Sequence, residues 1–189
     1  YTGCNNCSCV FWFRQDLRLE DNPGLVAAAE EGSVLPIFIE DQDKGDEWSR
    51  GAASSVWLYH SLKSLNDQLN GSLRFFSGNP KTILINILKT YGAKTIIWNR
   101  LYDQRSINRD TKLKADLTAR GYKIKTYNAS LLWEPWDICK EDGTPYKVFT
   151  PFYRKGCLNG KTPRFPLTRP KLILAPNDKF CGFENLKSL

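Results

Sequence analysis

Three groups of residues in this chain have side chains suited to chemistry. The densest is Arg14-Gln15-Asp16-Leu17-Arg18-Leu19-Glu20-Asp21-Asn22-Pro23, where cations and carboxylates alternate. These charges can pair among themselves, cap a following helix or hold an anion. Semi-buried charges need partners, so pairing and capping are expected ahead of anion binding. The second group is Cys4-Asn5-Asn6-Cys7-Ser8-Cys9, thiols close enough in sequence to share a metal ion. A closed zinc site needs four ligands, and the only histidine, His60, falls in a helical pattern. Free thiols and no metal are therefore expected. The third group is basic: Lys147, Arg154, Lys155, Lys161, Arg164, Arg169, Lys171, Lys179 and Lys187 face only Asp178 and Glu184. Residues 1–144 balance at 18 of each sign, so the whole net charge of +7 lies in the last quarter. It serves either an anionic partner such as nucleic acid or the solubility of a tail.

Several chemistries are absent from the pattern. No glycine precedes Gly24 in the loop after the first apolar run, so a glycine-rich cradle for a pyrophosphate is missing, and so is a P-loop. No Ser/His/Asp nucleophile motif occurs, and one histidine makes acid–base work by histidine unexpected. No catalytic residue is assigned.

The elements that must position these groups follow an alternating rhythm. Apolar runs at Cys9–Phe13, Val34–Ile39, Leu73–Phe76, Thr95–Trp98 and Lys123–Tyr127 read as strands, the last an edge strand from its alternation. Between them, Asn22 or Asp21 caps a helix begun by Pro23 and ended near Glu31. A long helix spans Ala52 to Leu69, with Val56, Tyr59, Leu62, Leu65 and Leu69 at inward spacing. A third begins at Pro80 with Ile83, Ile87, Leu88 and Tyr91 inward, and a fourth covers about Ser106 to Arg120. Strand–helix alternation with right-handed crossovers predicts an α/β, doubly wound, five-stranded parallel sheet, Rossmann-like, in the order 3-2-1-4-5. A ligand crevice is expected at the carboxyl ends of the first and fourth strands.

The chain has 189 residues, of which 41% are hydrophobic, enough for one medium domain with a tail. No apolar run approaches the roughly 18–20 residues that span a bilayer, and no basic-then-apolar leader opens the chain. There is no Met, consistent with a trimmed start. A cytoplasmic monomer is expected. Residues 1–8 read as a tail, 9–157 as the α/β domain, and 158–189, with Pro163, Pro166, Pro170 and Pro176, as a basic linker toward an absent domain.

Three ordered stretches carry a family resemblance. Trp12 to Asn22 (WFRQDLRLEDN) resembles the opening signature of the photolyase/cryptochrome family. Gly51 to Leu62 (GAASSVWLYHSL) resembles the second helix of bacterial cyclobutane-dimer photolyases, and Pro145 to Arg154 (PYKVFTPFYR) the segment closing that family's α/β domain. The resemblance covers roughly residues 9–157. It implies a domain that holds an auxiliary antenna chromophore, with FAD and the flipped pyrimidine dimer bound by a separate helical domain absent here. UV-damaged DNA would then be a partner of the full-length protein, with only weak non-specific DNA binding by this part.

By the switch-point rule the antenna site is lined by Phe38, Ile39, Glu40, Asp41, Arg50, Ser55, Tyr59, Asn99, Arg100, Leu101 and Asp103. Phe38 and Tyr59 are candidates to stack on a ring, or else core residues, while Arg50 and Arg100 suit carboxylate or phosphate. Deazaflavin-type relatives often have Arg at the Ser55 position and an acid at the Leu101 position. Folate-type relatives supply a histidine in the loop after the second strand, and residues 41–50 contain none. Deazaflavin, flavin mononucleotide (FMN), folate or an empty pocket all remain open. Two functions are carried forward, the antenna domain of a photolyase that repairs pyrimidine dimers and a cryptochrome-type photoreceptor module without repair. A nucleotide-binding domain of the same topology leaves the three motifs unexplained.

Overall fold

In the computed structural model the described residues are 7–41, 50–160 and 162–181. They form β1 (Cys9–Phe13), α1 (Pro23–Glu31), β2 (Ser33–Glu40), α2 (Ala52–Gln68), β3 (Arg74–Ser77), α3 (Pro80–Thr90), β4 (Thr95–Asn99), α4 (Gln104–Ala119) and β5 (Lys123–Tyr127). A short α5 (Phe149–Pro151) runs into a π-helical turn at Phe152–Cys157, and β6 (Ile173–Leu174) follows. The strands lie parallel in the order β3-β2-β1-β4-β5, with β6 added beside β2. The expected order holds, and the sheet has six strands where five were expected.

Each strand residue is assigned to a face by its place in the pleat. Val10, Trp12, Leu35, Ile37, Ile96 and Trp98 join Leu84 and Leu88 of α3 and Leu113 and Leu117 of α4 in one core. Phe11, Phe13, Val34, Phe38 and Ile97 join Leu25 of α1 and Leu62 and Leu65 of α2 in the other. Helices thus cover both faces, and the inner strands can be apolar throughout. In α3 the buried set is Leu84, Ile87, Leu88 and Tyr91; Ile83 is only half-buried.

The reading of α2 needs correction. Leu62, Leu65 and Leu69 are buried as expected, but Val56 is 59% and Tyr59 37% exposed. At about 1.5 Å per residue this 17-residue helix is roughly 26 Å long, against about 17 Å for a five-residue strand. Its first turns therefore run past the carboxyl ends of the strands with no sheet beneath them.

Where the sequence suggested a linker from residue 158, residues 168–181 belong with the sheet unit, and residues 130–167 form a second unit. β3 has four residues and β2 eight, so the start of β2 lacks a neighbour on that side; β6 fills the gap at Ser33–Val34. Beyond it, Cys181 bridges Arg74 and the Phe75 amide donates to the Phe180 carbonyl, closing the edge of β3. The wholly buried Arg74 guanidinium fastens this strap, donating to Ser72 O at 2.8 Å and Pro176 O at 2.5 Å and lying 3.5 Å from Asp178. Nothing in a proline-rich composition reveals such long-range pairing. In the second unit Gly156 packs where a Cβ would lie 2.6 Å from Ile138 Cγ2, and Phe149 stacks on Tyr153 at 5.7 Å.

Candidate functional site

The charged side chains of the loop after β1 find partners, as the pairing argument expects, but largely on other segments. Asp16 accepts from the Arg14 amide at 3.0 Å, from Asn22 Nδ2 at 3.3 Å and from Asn99 Nδ2 at 2.5 Å. Asn99 Nδ2 also donates to Asn22 Oδ1, and Asn99 Oδ1 accepts from the Gly24 amide at 3.1 Å. Asn22 caps α1 by accepting from Leu25 N. Position 24 must lack a side chain, since a Cβ there would sit 2.5 Å from Asn99 Oδ1. Arg14 passes under the loop to Asp110 of α4 at 2.6 Å and donates to the Asn99 carbonyl. Burial pulls the Arg14 guanidinium below its ordinary value, against the Asp110 carboxylate that supports its charge. Arg18 donates to the carbonyls of Glu20, Asp21 and Ala129.

Above this bolt lies a cleft of about 600 Å³, within the size range of small-molecule sites. Its floor is Trp12, Arg14, Phe38 and Ile39, from the ends of β1 and β2. One wall is the overhanging start of α2, with Ser54, Trp57, Leu58 and Ser61. The remaining sides are Gln15, Leu17 and Arg18, then Asp41 and Arg50, then Leu101 and Arg109. The guanidinium carbons of Arg14 and Arg109 stand 5.1 and 5.6 Å from the Trp12 ring centroid. Trp57, 79% exposed, offers a ring face at the rim. Trp12 Nε1 and Arg109 Nη2 are buried and lack an acceptor among the described residues. Among the described residues the lining offers aromatic faces, four arginines and one carboxylate, which suit a planar ring bearing acceptors or negative charge.

Of the residues expected to line the site, Phe38, Ile39, Asp41, Arg50 and Leu101 do. Asn99 does not, because all of its amide is committed to the loop bolt. Arg100 turns to β5 and donates to the Thr126 carbonyl at 2.8 Å. Asp103 caps α4, accepting from Ser106 N at 2.8 Å; burial pushes its carboxyl up, and the Ser106 hydrogen bonds outweigh this and hold it below the usual range. Ser55 and Tyr59 are absent from the lining, which takes the neighbouring positions Ser54, Trp57, Leu58 and Ser61 instead. Tyr59 meets His60 edge to face at 5.4 Å. Glu40 pairs with Arg50 at 4.0 Å and is not in the lining. Trp12, Trp57 and Arg109 were not singled out. Trp57 carried a signal, a large ring one position off the apolar stripe of α2, whereas nothing in the sequence marks Arg109.

Cys7 and Cys9 are buried thiols that burial pushes up to about 11 and about 12; Cys4 lies outside the described residues. Among the described residues no three His, Cys, Asp or Glu side chains gather as metal ligands. The loop at 42–49, where a histidine was sought, the end of the expected linker at 182–189, and Lys161 and Lys187 are also outside the described residues. The described basic residues of the last quarter are all exposed. They divide between the units, with Lys147, Arg154, Lys155 and Arg164 in the second and Arg169, Lys171 and Lys179 in the first. No helix among the described residues is long and apolar enough to cross a membrane.

Comparison with known proteins places this architecture. The profile of the family described as DNA photolyase matches residues 9–171. Cryptochrome-1 of Arabidopsis thaliana is 35% identical over 95% of the chain and 27% of its own length. Deoxyribodipyrimidine photo-lyase of Agrobacterium fabrum is 38% identical over 88% of the chain and 35% of its own length. Among solved structures, a bacterial class III photolyase from Agrobacterium tumefaciens superposes with a TM-score of 0.84 at 36% identity, over 96% of this chain and 38% of that one. An archaeal photolyase from Sulfolobus tokodaii, described with two FAD molecules and the implication of a novel light-harvesting cofactor, superposes at 0.75 and 27% identity, over 95% and 41%. The chain spans between 27% and 41% of the length of these relatives.

Proposed function

The chain belongs to the DNA photolyase family, and on that premise we propose that it is the antenna domain of a light-driven DNA-repair photolyase. The cleft at the carboxyl ends of β1 and β2 holds the chromophore. The observation that carries this reading is the cleft itself: about 600 Å³ at the switch point of the sheet, with Trp12, Phe38 and Trp57 as ring faces and arginines around them. When bound, the chromophore supplies absorption of light and its transfer to a flavin held elsewhere in the whole protein. The residues here make and break no bonds. Phe38 and Trp57 clasp a ring, Arg50 and Arg109 meet its negative charge, and the Arg14–Asp110 and Asn99–Asp16 bonds keep the floor rigid. Rigidity matters because energy transfer depends on a fixed distance and orientation. Deazaflavin, FMN and folate are the candidate chromophores, and a flavin-like ring is preferred. In the whole protein, UV-damaged DNA would be the partner.

The test is titration of the 189-residue chain with each candidate, followed by fluorescence. Saturable binding that weakens in Phe38→Ala or Arg50→Ala is expected. No saturable change with any of the three, or binding indifferent to substitution throughout the lining, would refute the reading. A cryptochrome-type photoreceptor without repair is the second reading, favoured by the cryptochromes among the relatives. Light-driven repair of dimer-containing DNA by the whole protein separates the two.

A further inference from the structure

The four arginines of the cleft differ in what holds them. Arg14 is buried in its pair with Asp110, Arg18 donates to three backbone carbonyls, and Arg50 faces Glu40 at 4.0 Å. Arg109 instead stands within an alternating ladder, Arg14–Asp110–Arg109–Asp41, that climbs from the floor to the mouth. The side chains are 4% and 10% exposed at the inner end and 32% each at the outer end. Arg109 Nε lies 3.3 Å from Asp110, and its Nη1 donates to Asp41 at 3.2 Å. Its third nitrogen, Nη2, is buried without an acceptor among the described residues. Asp41 follows β2 and Arg109 rides on the helix after β4, and β1 lies between those strands. The outer ion pair therefore crosses the crevice where the winding of the sheet reverses.

We propose that Arg109 is the anion anchor of this cleft, and that Asp41 is a resident carboxylate which the phosphate or carboxylate tail of a ring ligand replaces. The inference rests on the chromophore reading above and adds which side chain recognises the ligand's charge. Asp110 and the Trp12 ring fix Arg109 from behind, so it is already oriented before a ligand arrives. Asp41 engages Nη1, and the buried Nη2 beside it has no acceptor among the described residues. An oxyanion with two or three oxygens is matched to both together, the forked geometry that makes guanidinium–oxyanion pairs strong. Asp41 is the one carboxylate among the described lining residues, and it sits where the chain leaves β2. Its displacement toward solvent leaves the buried part of the ladder intact.

FMN and riboflavin share one ring and differ by the phosphate, so their comparison isolates the anchor. The intact chain, titrated by flavin fluorescence, should bind FMN about two- to fivefold more tightly than riboflavin, the scale of a partly exposed ion pair. That preference should shrink as salt is added. Arg109→Gln should abolish the preference, read as the ratio of the two affinities, and Arg109→Lys should keep part of it. Asp41→Asn should raise the preference for FMN over riboflavin by a few-fold, because the competing carboxylate is gone. Equal affinity for the two flavins, or a preference that survives Arg109→Gln, overturns the anchor and leaves the chromophore cleft standing. Failure of both flavins to bind overturns the anchor, and the cleft reading falls with it only if deazaflavin and folate also fail to bind.

Discussion

Removing either partner of the Arg14–Asp110 pair should expose an asymmetry that the geometry dictates. Both residues are buried, at 7% exposure each, and meet at 2.6 Å. Breaking a buried pair from one side generally costs about 3–5 kcal/mol, because the other charge stays behind uncompensated. Asp110, however, has a second cation: Arg109 Nε lies 3.3 Å from its other oxygen. In Arg14→Met the carboxylate keeps that partner, and the expected loss is about 1–3 kcal/mol, nearer a charged hydrogen bond than an orphaned ion. In Asp110→Leu the Arg14 guanidinium keeps the Asn99 carbonyl and loses its ion pair, so the full cost of about 3–5 kcal/mol applies. The double variant Arg14→Met/Asp110→Leu leaves no buried ion of the pair and should lie above Asp110→Leu in stability. Urea unfolding followed by circular dichroism measures all four proteins. With a slope of about 2 kcal/mol per molar, Asp110→Leu should lower the midpoint by about 2 M and Arg14→Met by about half that. Single losses that simply add in the double variant would show that the pair is uncoupled. A larger loss from Arg14→Met would refute the sharing of Asp110 between two arginines.

Three further outcomes follow from particular contacts. Gly24→Ala places a Cβ against Asn99 Oδ1 and should cost about 1–3 kcal/mol, a fall of roughly 5 °C in thermal midpoint; an unchanged midpoint would mean the loop bolt yields freely. Cys7, Cys9 and Tyr91 all have folded values raised, by burial first and, for Tyr91, by the Asp178 hydrogen bond as well. Their neutral forms favour the fold, so this stability is full below the unfolded thiol value near 9 and is lost as pH rises toward about 11 and 12. Denaturation midpoints should be level from pH 7 to 8 and fall above 9; a midpoint rising across that range would contradict the sign. DNA affinity of the chain should be electrostatic, falling on a log–log plot with a slope of roughly −0.9 per phosphate contacted and indifferent to dimers. Replacing Arg154, Lys155, Arg164 and Arg169 by Gln should flatten it, and a salt-insensitive preference for damaged DNA would refute this assignment.

What the sequence alone determined is what local periodicity and side-chain type can encode. The five strands and the four helices between them are written as apolar runs separated by helical spacing, caps and glycines. The order β3-β2-β1-β4-β5 follows because right-handed crossovers leave few ways to cover both faces of a parallel sheet. The cap at Asn22 was legible, since polar side chains beside a helix start meet its free amides, and so was the need of Arg14, Asp16 and Arg18 for partners, though not which partners they find. Only the tertiary structure decided what depends on residues far apart in the chain meeting in space. Asp110 reaches Arg14 across 96 positions, and Arg109 reaches Asp41 across 68. Asn99 and Asp103 carry the side chains of binding residues, yet one is consumed by the loop bolt and the other by a helix cap. The strap at 168–181 has the composition of a linker and the pairing of an edge strand, because a short β3 leaves part of β2 open and the buried Arg74 ties the segment there. Composition records how a segment interacts with water, whereas hydrogen-bonding groups left open elsewhere in the fold determine where that segment docks.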